Sequence, residues 1–275
     1  MPQRHHGSGT SLPPPGGRAG IHVTCWADAV KCVSDALGPL HGKIVLEAGC
    51  GSSSPFDLRG AHVVGIDVSE TQLERNPLLH ERIQGSITTY ENHSWRGRFD
   101  LIVCWNVLEH VDQPMAAIQR FSHWIKPSGQ ILLAYPNPQT LKGFVTRHTP
   151  HLFHRLFYRL VRGTPLFGAP RDCGPFPTVF HDDLRPLTLL RSLEPHGLTV
   201  DLILTAESYQ VEALKRAVPG PIVDALGRLC ARGSPFNGDA HDLVFLLRRT
   251  TQDTPRSDPL APSNAGIDSE AWEAP

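Results

Sequence analysis

Seven short runs of largely apolar residues punctuate the chain. The first five are Lys43–Glu47 (KIVLE), His62–Asp67 (HVVGID), Arg82–Gln84 (RIQ), Phe99–Trp105 (FDLIVCW) and Gln130–Tyr135 (QILLAY). Most lack the apolar–polar alternation of a half-exposed strand, which is the pattern of strands covered on both faces. Leu198–Thr205 (LTVDLILT) and Asp242–Arg248 (DLVFLLR) follow helical stretches and are expected to pair with each other at one edge. Helical periodicity falls at Trp26–Leu37, Gln113–Ile125, Leu152–Val161, Leu184–Leu193 and Ile222–Ala231. The second of these stops before Pro127 and Gly129, which break a helix and open the next strand. Alternating strands and helices predict an α/β class: a seven-stranded, mostly parallel sheet with helices on both faces.

The ends depart from this pattern. Residues 1–20 are rich in Pro, Gly, Ser and His, and residues 251–275 in Pro, Ser and acids, so both are expected to be disordered tails flanking one domain at 21–250. A chain of 275 residues suits one such domain with decoration. With 26 Lys and Arg against 27 Asp and Glu there is no overall field to draw the protein onto nucleic acid, so no nucleic-acid partner is expected. The six cysteines form no CxxC pair and read as reduced thiols. The N-terminal stretch has no apolar core of a signal peptide and no run approaches a membrane span, which predicts a cytoplasmic protein, membrane-associated at most through a surface contact.

The chemistry concentrates in VLEAGCGSSS (Val45–Ser54), where a buried strand ends on an acid followed by Gly49 and Gly51. Two glycines permit a tight turn and a close backbone approach to a nucleotide-type ligand at the carboxyl edge of a parallel sheet. The second strand stops on GID, placing Asp67 sixteen residues after Gly51, where a carboxylate can take two ribose hydroxyls. With GIDVS and DLIVCWNVLEHV in the same order, the chain resembles the class I S-adenosylmethionine-dependent methyltransferases of the small-molecule type over about residues 26–137. The resemblance implies a Rossmann-like sheet with an inserted helical lid, S-adenosyl-L-methionine as cofactor, and methyl transfer. It places Gly49 and Gly51 under the methionine part, Glu47 at the amino group, and Asp67 with Val68 at the ribose. Ser86 and Ile87 would adjoin the adenine, and Cys104 to Asn106 would face the cofactor. Two departures stand out: Ser53 replaces a third glycine of the first motif, and Gly85-Ser86-Ile87 replaces the usual acid near the adenine.

In-line displacement at a sulfonium gains most from positioning, and a base is needed only when the acceptor must lose a proton. His110, after Glu109, is the candidate base because an imidazole titrates near neutral pH. His181, ahead of Asp182 and Asp183, reads instead as part of a turn before a helix. His148, His151 and His154 recur every three residues but drift around a helix and are interrupted by Pro150, so no metal is expected.

Between Asp112 and Asp172 there is no acid, while Arg120, Lys126, Lys142, Arg147, Arg155, Arg159, Arg162 and Arg171 all fall there. Leu152, Phe153, Leu156, Phe157, Leu160 and Val161 form an apolar stripe opposite Arg155, Arg159 and Arg162. As part of a cap at about 138–183, this basic helix would overhang the acceptor. It suits a small-molecule or lipid-like, amphiphilic or anionic acceptor, or peripheral contact of residues 150–162 with an anionic membrane. Two other classes stay open. A nicotinamide-dependent oxidoreductase would want a third glycine where Ser54 stands. A methyltransferase-like domain could also serve as a non-catalytic membrane-surface or partner-binding module.

Overall fold

The computed structural model describes residues 20–149, 178–179 and 181–250. The two tails, the stripe at Leu152–Val161 and its arginines lie outside the described residues.

The strands are β1 (Ile21–Val23), β2 (Ile44–Ala48), β3 (His62–Asp67), β4 (Glu81–Gln84), β5 (Phe99–Trp105), β6 (Ile125–Pro136), β7 (Leu198–Ala206) and β8 (Asp242–Arg249). They form one sheet in the order β1-β7-β8-β6-β5-β2-β3-β4. β2 pairs parallel with β3 and β5, and β8 runs antiparallel between β6 and β7. The expected seven strands are all present. The eighth, β1, has three residues and pairs parallel with β7, so the edge belongs to β1 rather than to the β7–β8 pair. A three-residue strand whose partner lies some 180 positions away leaves no periodic trace in its own sequence.

Helices α1 (Trp26–Leu37), α2 (Glu70–Arg75), α3 (Pro114–Trp124), α4 (Leu141–His148), α5 (Pro186–Leu193), α6 (Tyr209–Ala217) and α7 (Gly220–Cys230) cover the sheet among the described residues. In α1 the buried side chains are Ala29, Val33 and Leu37, one per turn, which seats a single stripe on one sheet face. Ala117, Ile118, Phe121 and Trp124 of α3 pack on the other face with Leu189 and Leu193 of α5. α2 is one and a half turns long and rests on a local signal, Ser69 Oγ accepting from the Gln72 amide. α2, α4 and α6, of six, eight and nine residues, were not among the helices expected from periodicity.

Alternation along each strand sorts side chains between two cores. Val45, Val63, Leu101, Val103 and Leu132 face the α1 layer, while Leu46, Val64, Ile102, Cys104 and Leu133 face the α3 layer. Truncating a fully buried residue such as Phe121 would cost about 3–5 kcal/mol. The chain leaves β2 toward β3 on one side and later fills β5 and β6 on the other. The carboxyl ends of β2 and β5 therefore form the crevice where ligands of such sheets bind. No helix occupies the segment between β2 and β3, so the glycine turn is followed by irregular chain only.

Candidate active site

The turn after β2 is held by backbone and two side chains. Gly49 and Cys50 amides both donate to the Ile66 carbonyl, at 2.8 and 3.3 Å, tying the turn to the end of β3. Gly49 has φ +74°, and a Cβ there would stand 2.5 Å from Val107 Cγ2, so a side chain is excluded on both counts. Gly51, at φ +50°, has nothing nearer than Gln72 Oε1 at 4.0 Å where its Cβ would stand, so it opens onto free space. Its amide donates to Asp67 Oδ2 at 2.9 Å, while Asp67 Oδ1 accepts from Ser69 N at 2.9 Å. Each carboxylate oxygen keeps acceptor capacity beyond these bonds. Asn76, fully buried, donates to the Gly51 carbonyl at 3.2 Å and completes the brace.

Glu47 ends β2 beneath this turn. It is 3 % exposed, and its Oε2 has no hydrogen-bond partner among the described residues. Burial pushes its carboxyl up to about 7, with the Ser54 hydroxyl pulling the other way. It borders a cavity of about 80 Å³ whose wall includes Gly49, Ser53, Val103 and Trp105. Trp105 meets Trp26 in a tilted ring contact at 4.8 Å and Phe56 edge-on at 4.9 Å, forming an aromatic wall beside the carboxyl. A larger hollow of about 460 Å³, bordered by Gly42, Arg59, His62 and His80, lies at the opposite, amino end of β3. It is open, and the buried Glu47 carboxyl is at the other end of the strands. The ligand-binding edge of a parallel sheet is the carboxyl one.

Beyond Trp105 the backbone turns sharply. Asn106 has φ +56°, a left-handed conformation that asparagine tolerates better than most residues, and its amide donates to Ala134 O at 2.8 Å. Val107 then abuts Gly49, and Leu108–His110 form a single 3-10 turn. Glu109 is buried, its Oε2 lacks a hydrogen-bond partner among the described residues, and burial pushes its carboxyl up to about 8. The Tyr135 hydroxyl is likewise buried without a partner. His110 is about a quarter exposed, with Nε2 at 3.7 Å from Glu109 Oε1. The Glu109 carbonyl accepts from Val179 N at 2.8 Å, so the chain returning from the 138–183 segment passes over this turn.

The structure thus brings Glu47, Gly49, Gly51 and Asp67 together, with Asn106 and His110 on the adjoining turn. Val68, at 69 % exposure, projects to solvent beside Asp67. Ser86 is already engaged, its hydroxyl 2.8 Å from Thr88 Oγ1, while Ile87 is buried in the core next to it. Cys104 does not face the cavity. It lies on the α3 face of β5, where burial pushes its thiol well up. Strand alternation puts its neighbours Val103 and Trp105 at the cavity instead. Arg155, Arg159 and Arg162 lie outside the described residues, as do His151 and His154. His148 is bonded to the Phe144 carbonyl and stacks on that ring. His181 precedes a 3-10 turn without capping it through its side chain.

The reading of an uncompensated positive segment needs correction within the described part. Arg120 pairs with Glu91, Lys126 with Asp100, Lys142 with Asp242, and Arg147 with Asp182. Acids remote in sequence neutralise these cations, which a count along the chain does not register. Asn76, Trp26 and Phe56 were missed. Trp105 fell within the expected stretch from Cys104 to Asn106, and it is in phase with Val103 at the end of its strand.

A family model described as a methyltransferase domain matches residues 26–171. Curated relatives include ubiquinone biosynthesis O-methyltransferases. That of Pseudomonas paraeruginosa is 34 % identical over 113 residues, or 38 % of this chain and 48 % of the relative. That of Dechloromonas aromatica is 37 % identical over 108 residues, or 36 % of this chain and 46 % of the relative. The chain therefore spans about half the length of the curated relatives it matches. Among solved structures, magnesium protoporphyrin IX methyltransferase from Synechocystis is 18 % identical at a TM-score of 0.48, covering 82 % of each chain.

Proposed function

Since the chain belongs to the class I S-adenosylmethionine-dependent methyltransferase family, we propose that it transfers a methyl group from that cofactor to an oxygen of a small-molecule or lipid-like, amphiphilic or anionic acceptor. The observation that carries this reading is the unpartnered Glu47 Oε2 buried at the carboxyl edge of β2. A buried carboxyl without a partner costs stability, and a ligand ammonium supplies the missing charge.

In this reading Glu47 receives the amino group of the methionine part and Trp105 walls it. The Asp67 oxygens accept from the ribose hydroxyls while Gly51 N and Ser69 N hold them in place. Val68, Ser86 and Ile87 flank the nucleoside, the last two through backbone and apolar contact because the Ser86 hydroxyl is engaged by Thr88. The cofactor supplies a sulfonium methyl whose transfer dissipates a positive charge, so chain groups act mainly by alignment. Asn106, fixed in its left-handed turn, separates the cofactor side from the acceptor side. His110 takes the hydroxyl proton of the acceptor. Arg155, Arg159 and Arg162 meet the acceptor's anionic part, consistent with the return of their segment over Glu109.

The test is calorimetry with S-adenosylmethionine and its demethylated product, followed by mass analysis of phenolic and carboxylated lipid-like acceptors incubated with enzyme and cofactor. A gain of one methyl group on oxygen is expected. Absence of binding to either cofactor form would overturn the proposal, and binding without transfer to any acceptor would point to the non-catalytic module instead.

A further inference from the structure

Three metal-ligating side chains from remote parts of the chain converge at the β1–β7 edge, away from the glycine turn. His22 lies in β1, Glu207 directly follows β7, and Asp239 lies in the turn before β8. One ligand atom from each lies within 4.8 Å of the other two. His22 Nε2 is 3.4 Å from Glu207 Oε1 and 3.9 Å from Asp239 Oδ2. In a tetrahedral site with bonds of about 2.0–2.2 Å, neighbouring ligand atoms sit about 3.4 Å apart. One pair already has that spacing. The second closes by a small rotation of Asp239, whose side chain is 47 % exposed and free to adjust.

The imidazole is also oriented from behind. His22 Nδ1 lies 2.8 Å from Oγ1 of Thr205, a buried residue directly across the ladder. Metal-bound histidines characteristically donate their other ring N–H to such an acceptor, which fixes the ring and frees the opposite nitrogen to ligate. With Nδ1–H donated to Thr205, the Nε2 lone pair points between two carboxylates.

We propose that His22, Glu207 and Asp239 form a divalent-cation site of the zinc type, with Thr205 as the residue that orients His22. Mixed imidazole and carboxylate donors suit Zn²⁺ or Co²⁺ better than Mg²⁺. The cation cross-links β1, which otherwise holds to β7 through three residue pairs, to the end of β7 and to the turn before β8. β1 leads into α1, whose Trp26 packs against the cavity residue Trp105, so the site anchors the N-terminal side of the aromatic wall.

The experiment titrates the full, chelator-stripped chain with ZnCl₂ by calorimetry, beside His22→Ala and a Glu207→Gln/Asp239→Asn double variant. Other histidines and cysteines remain in all three proteins and so cancel in the comparison. Wild type should bind one equivalent more than His22→Ala, and the double variant should bind that equivalent at least about tenfold more weakly. Zn²⁺ should raise the wild-type Tm by about 5 °C and leave His22→Ala unmoved. Equal stoichiometry and affinity in wild type and His22→Ala would overturn the proposal. If His22→Ala loosens β1 by itself, hydrogen exchange in wild type decides: Zn²⁺ should slow the Ile21–Val23 amides, and unchanged exchange there would overturn it as well.

Discussion

Replacing Glu47 by Gln separates what the buried carboxyl costs the fold from what it contributes to binding. Burial raises Glu47 to about 7, against about 4.3 in an unfolded chain. The folded protein therefore holds this proton more tightly than the unfolded chain does. The resulting stability is complete below about pH 4, declines as pH rises, and is lost above about pH 7. At about 1.36 kcal/mol per pH unit, the interval from about 4.3 to about 7 leaves the ligand-free fold about 3–4 kcal/mol less stable at about pH 8 than with the proton in place. Gln carries no charge to desolvate. Glu47→Gln should raise the ligand-free Tm by about 5–10 °C at about pH 8, and the gain should vanish near pH 4. Binding runs the other way, because the ligand ammonium needs the carboxylate. Wild-type affinity for S-adenosylmethionine should rise about tenfold per pH unit up to about 7 and then level off, while the Gln variant should bind weakly and without that slope. Thermal scans and calorimetry across this range check both halves. A Gln variant less stable than wild type at about pH 8, or a flat wild-type affinity profile, would refute the reasoning.

Gly51→Val should abolish cofactor binding and lower Tm by several degrees, since the space is open but φ +50° strains a β-branched residue; calorimetry showing normal binding would reduce the turn to a structural role. Gly49→Ala should destabilise by about 1–3 kcal/mol through its clash with Val107, and adding Val107→Ala should restore part of that in denaturant titrations. His110→Ala should lower kcat while leaving the cofactor Kd unchanged, and unchanged turnover would remove it as the base. Changing Arg155, Arg159 and Arg162 together to Gln should raise the acceptor KM, an effect that shrinks with salt, while cofactor affinity stays as in wild type.

The sequence was most readable where a residue's role is set by its own strand. Glu47, Gly49, Gly51 and Asp67 each stand at a strand end, and the two glycines adopt the positive φ that their spacing suggested. Legibility failed where partners are distant. Trp26 meets Trp105, and Asn76 braces Gly51, across separations that no periodicity marks. Lys142 has its acid in β8, so an acid-free stretch overstated the charge that this part of the chain presents. Cys104 was misplaced for a different reason. Nearness to a motif suggested exposure to the ligand, whereas the strict two-residue period of a strand decides which neighbour faces it.

The end of β2 and the turn after β5 each carry one buried carboxyl. Glu47 on β2 and Glu109 after β5 lie on either side of the contact between Gly49 and Val107, and burial pushes both carboxyls up. Among the described residues neither pairs with a lysine or arginine: the nearby Lys142 is committed to Asp242, and Glu47 is eased by the Ser54 hydroxyl. Both carboxyls therefore lean toward the neutral form until something positive arrives. A cofactor bearing an ammonium and a sulfonium would provide that charge on the Glu47 side first, because Glu47 borders the cavity, whereas Glu109, within the 3-10 turn, does not line it. In the proposed reading, ionisation of Glu47 is coupled to cofactor binding, while burial holds the Glu109 carboxyl toward its neutral form. In that reading His110, about a quarter exposed, is the candidate proton acceptor on the side where an incoming hydroxyl would arrive.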